Sequence, residues 1–197
     1  MTQDPTRRDL LMAAAIAAGG LGLGQSALAQ QGLRLTPECK DGDEPTAAQT
    51  EGPFYKPSSP ERADLREPGL AGRPVILSGV VFTRHCKPVA RAVVDLWHAD
   101  DKGDYDNRGF RYRGHVLTDE DGRYQFRTIM PARFPGRTRH YHVKVAAPGR
   151  PLLTTQLYFP NEPANARDGL FQPALLMRVA ERGDGLAAQF AFVLDMT

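Results

Sequence analysis

The chain is sparing with cysteine, with aromatic residues and with net charge. Among 197 residues there are two cysteines, 8% aromatic residues and a formal net charge of +2. So small a charge leaves no electrostatic footprint for nucleic acid or an anionic surface. No long helical periodicity runs through the sequence, and no internal repeat or second domain is visible. The apolar run from Met12 to Leu23 is too short and too rich in glycine for a comfortable membrane span. What remains is a chain of ordinary composition, 41% hydrophobic and 24% charged, suited to one globular domain.

The first 29 residues read as something other than that domain. Thr6-Arg7-Arg8-Asp9-Leu10-Leu11 is a twin-arginine sequence, followed by the apolar run and by Ala27-Leu28-Ala29. A charged start, a short apolar middle and a small-x-small end describe a cleavable export signal. The processed chain is expected to begin near Gln30 and to work outside the cytoplasm, in the periplasm or secreted, without stable membrane insertion. No cysteine directly follows the cleavage site, so a lipid anchor is not expected. Loss of Arg7, Arg8, Asp4 and Asp9 together leaves the net charge unchanged. In an oxidising compartment Cys39 and Cys86 are a candidate disulfide; the competing reading is two free thiols.

Residues 30–72 read as an irregular leader that includes Thr50-Glu51-Gly52-Pro53-Phe54-Tyr55, and 73–197 as the folded body. Strands are expected at Pro74 to Thr83, Ala92 to Ala99, His140 to Ala146, Leu152 to Phe159 and Ala188 to Leu194. Val116 to Thr118 and Arg123 to Thr128, joined by Asp119-Glu120-Asp121-Gly122, are expected to pair as a hairpin. A short helix is expected around Ala164 to Leu170. Short strands with 19 glycines and 16 prolines favour an all-β antiparallel sandwich with long loops.

The most informative stretch is TIMPARFPGRTRHYHVKV, residues 128–145. Side chains alternate across a strand, so His140, His142 and Lys144 share one face, and Tyr141, Val143 and Val145 the other. Two imidazoles two residues apart on one face can reach one metal ion. The plainer alternative is that the apolar face packs and the histidines meet water.

Together with Tyr105 in Gly103-Asp104-Tyr105-Asp106-Asn107, and with TEGPFY, DLWHADDKGDYDN, GHVLTDEDGRYQFRTIMP and TTQLYF in order, this stretch resembles the intradiol ring-cleavage dioxygenases of the catechol and protocatechuate type. The likeness covers roughly residues 46–160. It implies a prealbumin-like β-sandwich that holds one non-haem Fe(III) ion with tyrosines and histidines, and that cleaves a small catecholic substrate with O₂ to a muconate-type diacid. Carried over by position, the iron ligands are Tyr105, His140 and His142, with Arg137 and Gln156 lining the substrate pocket. The donor types suit a hard ferric ion. An oligomer is compatible with this reading.

The chain departs from the family pattern at Phe134, which stands where the family places its second, axial tyrosine. Phenylalanine cannot ligate iron. Water or hydroxide could take that position, and Tyr112 could approach from the loop after Tyr105. Tyr141 is turned away by strand alternation. The alternative reading is an exported binding module with a degenerate iron site; a zinc or copper site is a third. His98 is expected to be structural, Trp97 a packing residue, and His85 and His115 solvated near turns. Asp119, Glu120 and Asp121 lack the spacing of a calcium loop and are expected to form only a turn.

Overall fold

The computed structural model describes residues 38–69 and 71–197; the export-signal reading and the start of the leader lie outside the described residues. The strands, in chain order, are β1 (Pro74–Thr83), β2 (Val93–Trp97), β3 (Arg113–Leu117), β4 (Arg123–Ile129), β5 (His140–Ala146), β6 (Leu153–Tyr158), β7 (Arg178–Arg182), β8 (Gly185–Gln189) and β9 (Phe192–Leu194). One sheet runs β4-β1-β8-β7 with β9 also on β1, and the other runs β3-β2-β5-β6. The helical segments among the described residues are two 3-10 turns, Pro163–Arg167 and Pro173–Leu175. The first stands where a short helix was expected.

The core lies between the sheets. β1 buries every second residue, from Val75 to Thr83, so its pleat presents one apolar face. Val75, Leu77 and Phe126 from one sheet join Val94, Leu96, Tyr141, Val143 and Val145 from the other in a single cluster. Burying side chains of this size stabilises a fold by about 1.5–3 kcal/mol each. The leader is part of the body: Leu65 is fully buried, and Thr46 and Gln49 donate backbone hydrogen bonds to Val193 and Thr154. Cys39 and Cys86 form the expected disulfide, with Cα atoms 5.6 Å apart.

Two expectations need correction. The segments on either side of Asp119–Gly122 are not a hairpin, because β3 pairs with β2 while β4 pairs with β1 in the opposite sheet. The turn is an arch between layers. Thr118 sets its start by donating its hydroxyl to Val89 O at 2.7 Å and accepting from Ala92 N at 2.8 Å. The last strand is interrupted, with β8 and β9 both parallel to β1 and in one register. Between them the chain crosses Gly79, where any side chain would collide with the Phe190 carbonyl. This makes one sheet mixed rather than antiparallel, and β7 supplies an edge strand that the sequence reading lacked.

Candidate functional site

β5 is buried on both faces, which sets the site's location. Tyr141, Val143 and Val145 enter the core, while His140 and His142 project from the outer face of their sheet. Leader residues 50–62 and the loop from β2 to β3 cover that outer face. Neither histidine is solvated: their exposures are 5% and 3%.

The β2–β3 loop carries Tyr105 between two aspartate-braced turns. Asp100 Oδ1 accepts the amides of Lys102 and Asp104 at 2.9 and 3.0 Å, and Asp106 accepts those of Arg108, Gly109 and Arg111. Burial would raise the Asp106 carboxyl, but those amides hold it down at about 2. Gly103 has φ +95°, and a Cβ there would stand 2.5 Å from the Arg133 carbonyl, so only glycine lets this loop lie against the Phe134 segment.

Three donor atoms converge as a result. Tyr105 Oη lies 3.1 Å from His142 Nε2 and 3.4 Å from His140 Nε2, and the two Nε2 atoms are 3.1 Å apart. His140 Nδ1–H donates to Thr138 O at 2.7 Å, which leaves the Nε2 lone pair facing the other two atoms. Burial lowers the His140 pKa to about 4, partly opposed by the Thr138 carbonyl, and pushes His142 well below its ordinary value. Both imidazoles are therefore neutral at pH 7, the form that ligates metals. Burial raises the Tyr105 phenol to about 12, with Arg137 and Arg113 opposing the rise. The two Nε2 atoms beside a phenol oxygen form a cluster that a single cation would bridge. Bonds of about 2 Å to one ion are compatible with such separations. The donor set fits a ferric ion. Among the described residues no three His, Cys, Asp or Glu side chains converge, so the site depends on the tyrosine.

Arg137 is held from behind. Its Nε donates to both Asp168 oxygens at 3.1 and 2.9 Å, and its Nη2 to Gln156 Oε1 at 2.6 Å. Burial would raise the Asp168 carboxyl, yet the amides of Thr138 and Leu170 and the arginine hold it below its usual value. Gln156 also donates to Thr50 O at 2.9 Å, joining β6 to the leader. Fully buried, it stands one layer behind Arg137 rather than lining the pocket as expected.

The leader forms the roof. Phe54 stacks on Tyr105 with centroids 4.4 Å apart, and Tyr55 packs on Trp97 at 4.8 Å. Ser59 donates to Asp95 at 2.8 Å, and His115 Nδ1 donates to Ser59 O at 2.9 Å. His115 is thus a structural pin and not a solvated histidine. Beneath the roof lies a cavity of about 330 Å³, walled by Phe54, Tyr105, Phe134, Arg137, His140 and His142 among others.

Phe134 therefore sits beside the three donors, its ring 5.9 Å from that of Tyr105. Neither candidate substitute reaches them. Tyr141 donates to Ile129 O at 2.8 Å within the core, and Tyr112 stacks on His98 and points its hydroxyl at Ala71 O. His98 is structural, bonded to Ala99 O and Thr128 Oγ1. His85 pairs with Asp41 at 2.6 Å, half exposed. Asp119 spends its carboxylate on the amides of Asp121 and Arg123, as a turn residue does. Sequence reasoning missed Phe54, Asp168 and Arg113. Arg113 is 1% exposed, and its terminal nitrogens lack hydrogen-bond partners.

Comparison with known proteins places the sandwich that carries this cluster among the dioxygenases. Residues 50–196 match the family model described as Dioxygenase. Catechol 1,2-dioxygenase of Acinetobacter baylyi is 33% identical over 144 residues, 57% of this chain and 46% of that protein. Hydroxyquinol 1,2-dioxygenase of Nocardioides simplex is 32% identical over 150 residues, 64% of this chain and 51% of that protein. The chain thus spans about half the length of these curated relatives. The dioxygenase domain of a dioxygenase–carbohydrate-binding protein fusion from Streptomyces sp. SirexAA-E superposes with TM-score 0.77 at 53% identity, over 78% of this chain and 100% of that one. For 3-chlorocatechol 1,2-dioxygenase from Rhodococcus opacus 1CP the TM-score is 0.73 at 28% identity, over 78% and 73% of the two chains. The chain belongs to the intradiol ring-cleavage dioxygenase family.

Proposed function

We propose that this is an exported, ferric intradiol dioxygenase that opens a catecholic ring between its two hydroxyl-bearing carbons. One C–C bond breaks, and each of its carbons becomes a carboxyl carrying one oxygen of O₂. Catechol and O₂ balance a muconate-type diacid with no external reductant. The observation that carries the reading is the convergence of Tyr105 Oη, His140 Nε2 and His142 Nε2 within 3.1–3.4 Å of one another. Export is supported by the twin-arginine sequence and by the Cys39–Cys86 bridge, which suits an oxidising compartment.

Tyr105, His140 and His142 would hold the iron. Bound there, ferric iron would supply the Lewis acidity that draws a catechol into its dianionic form and toward O₂. Arg137, oriented by Asp168 and Gln156, faces the cavity and stabilises negative charge on the ring. Phe54 and Phe134 pack the aromatic substrate and exclude water. The family's second tyrosine takes up a catechol proton, which Phe134 cannot do. Hydroxide or water must accept it here, and loss of a positioned base costs about 10²–10⁴-fold in rate.

Phe134 also favours a second reading, a binding module with a relic site. The visible spectrum of residues 30–197 loaded with ferric iron separates the two. The enzyme reading expects a tyrosinate-to-iron charge-transfer band that vanishes in Tyr105→Phe, together with catechol-dependent O₂ uptake. A colourless protein that takes up no iron would leave the binding module.

A further inference from the structure

Outside the Phe134 segment lies a second, larger hollow of about 640 Å³, and the two spaces share Phe134, Pro135 and Arg137 as a common wall. Four arginines line the outer one: Arg133, Arg137, Arg139 and Arg167. Two are neutralised. Arg137 pairs with Asp168 at 2.9 Å, and Arg139 Nε lies 2.9 Å from a Glu162 oxygen, an ion pair by distance although its N–H is not aimed at that oxygen. Arg133 and Arg167 are exposed and make no ion pair or side-chain hydrogen bond among the described residues. The groove therefore holds two unspent guanidinium groups beside a cavity whose other walls are mostly hydrocarbon.

We infer that this groove is a subsite for a carboxylate on a short side chain of the substrate. The inference rests on the reading of the inner cavity as a catechol site. Guanidinium is a planar fork of donors matched to carboxylate, and two such groups with no internal partner are free to receive one. Phe134 and Pro135 stand between the two spaces, so a substrate whose ring occupies the inner cavity needs a side chain that spans this wall to bring a carboxylate to Arg133 and Arg167. The substrate class is thus a 3,4-dihydroxyphenyl alkanoate or alkenoate rather than unsubstituted catechol.

The test compares 3-(3,4-dihydroxyphenyl)propionate with its methyl ester on the iron-loaded protein and on R133Q/R167Q. An exposed charge pair contributes up to about five-fold in affinity. The acid should therefore show a KM about three- to five-fold below the ester's at low salt. That preference should shrink to within two-fold in the double variant and in 0.5 M NaCl, where screening is strong. Equal KM values for acid and ester in the unaltered protein would overturn the subsite. If none of these compounds is turned over, the catalytic reading fails by itself. Calorimetric titration of acid and ester then decides the groove: an arginine-dependent preference for the acid supports it, and equal or undetectable binding of both overturns it.

Discussion

The indole of Trp97 lies flat against the imidazole of His142, with centroids 5.0 Å apart and planes 9° from parallel. The two residues are direct partners across β2 and β5. His142 Nδ1 is buried with no hydrogen-bond partner, so stacking, rather than the usual acceptor behind a ligating imidazole, orients this ring. Trp97→Ala should cost about 3–5 kcal/mol in stability by denaturant titration. It should also weaken ferric binding by about 10-fold or more, whereas Trp97→Phe should retain most of it. Equal iron affinity in the alanine variant would show that the stack does not hold the ligand.

Phe134→Tyr would place a phenol beside Tyr105 and the two histidines. If that phenol supplies the donor and base that Phe134 lacks, the variant should bind ferric iron more tightly, and its turnover should rise by about 10²-fold or more. Iron affinity and steady-state O₂ uptake read the two effects separately. No change in either would mean that position 134 does not face the bound iron.

Asp168 lies outside the inner cavity, in the lining of the outer groove, and accepts both Arg137 Nε and the Thr138 amide. Asp168→Asn should leave iron content intact and lower stability by about 1.5–3 kcal/mol, the range for a hydrogen bond to a charged group. Catechol kcat should fall more than KM rises, since Arg137 would be present but badly aimed. Wild-type kcat in the variant would remove the positioning role.

Burial lowers the His98 pKa to about 4 in the folded protein, against an ordinary 6.5. Between those values the unfolded chain holds a proton that the folded one refuses, so stability falls as pH drops from 6.5 towards 4. One such group contributes on the order of 3 kcal/mol to that fall. In metal-free protein, His98→Gln should flatten the curve of stability against pH by about one proton. An unaltered slope would place the histidine's titration elsewhere.

The Cys39–Cys86 bridge closes a separation of 47 residues and ties the leader to the turn after β1. The chain-entropy account assigns a loop of that size about 4 kcal/mol. Reduction, or Cys39→Ser with Cys86→Ser, should lower stability by up to that amount and leave the spectrum of the iron-loaded site in place. Loss of iron on reduction would show that the leader's anchor also holds the roof over Tyr105.

Much of this protein was legible in its sequence. The bounds of β1 and β5 were read to the residue, because the β-branched and aromatic content of β1 and the polar–apolar alternation of β5 are local properties. The same alternation aimed His140 and His142 away from the core, and spacing together with family likeness marked Tyr105. Partnership between strands was not local. The arch at Asp119–Gly122 has the turn chemistry of a hairpin, and only the competition for β1 and β2 edges sends β4 to the other sheet. The site's supports were equally hidden. Asp168 lies 31 residues from Arg137, Trp97 lies 45 from His142, and Phe54 lies 51 from Tyr105. Such separations carry no sequence period, since contacts of that kind arise only when two sheets and a leader pack together. The sequence determined which side chains could bind a metal and that position 134 is a phenylalanine; packing decided what holds the donors, what covers them, and that Phe134 stands in the cavity wall beside Tyr105.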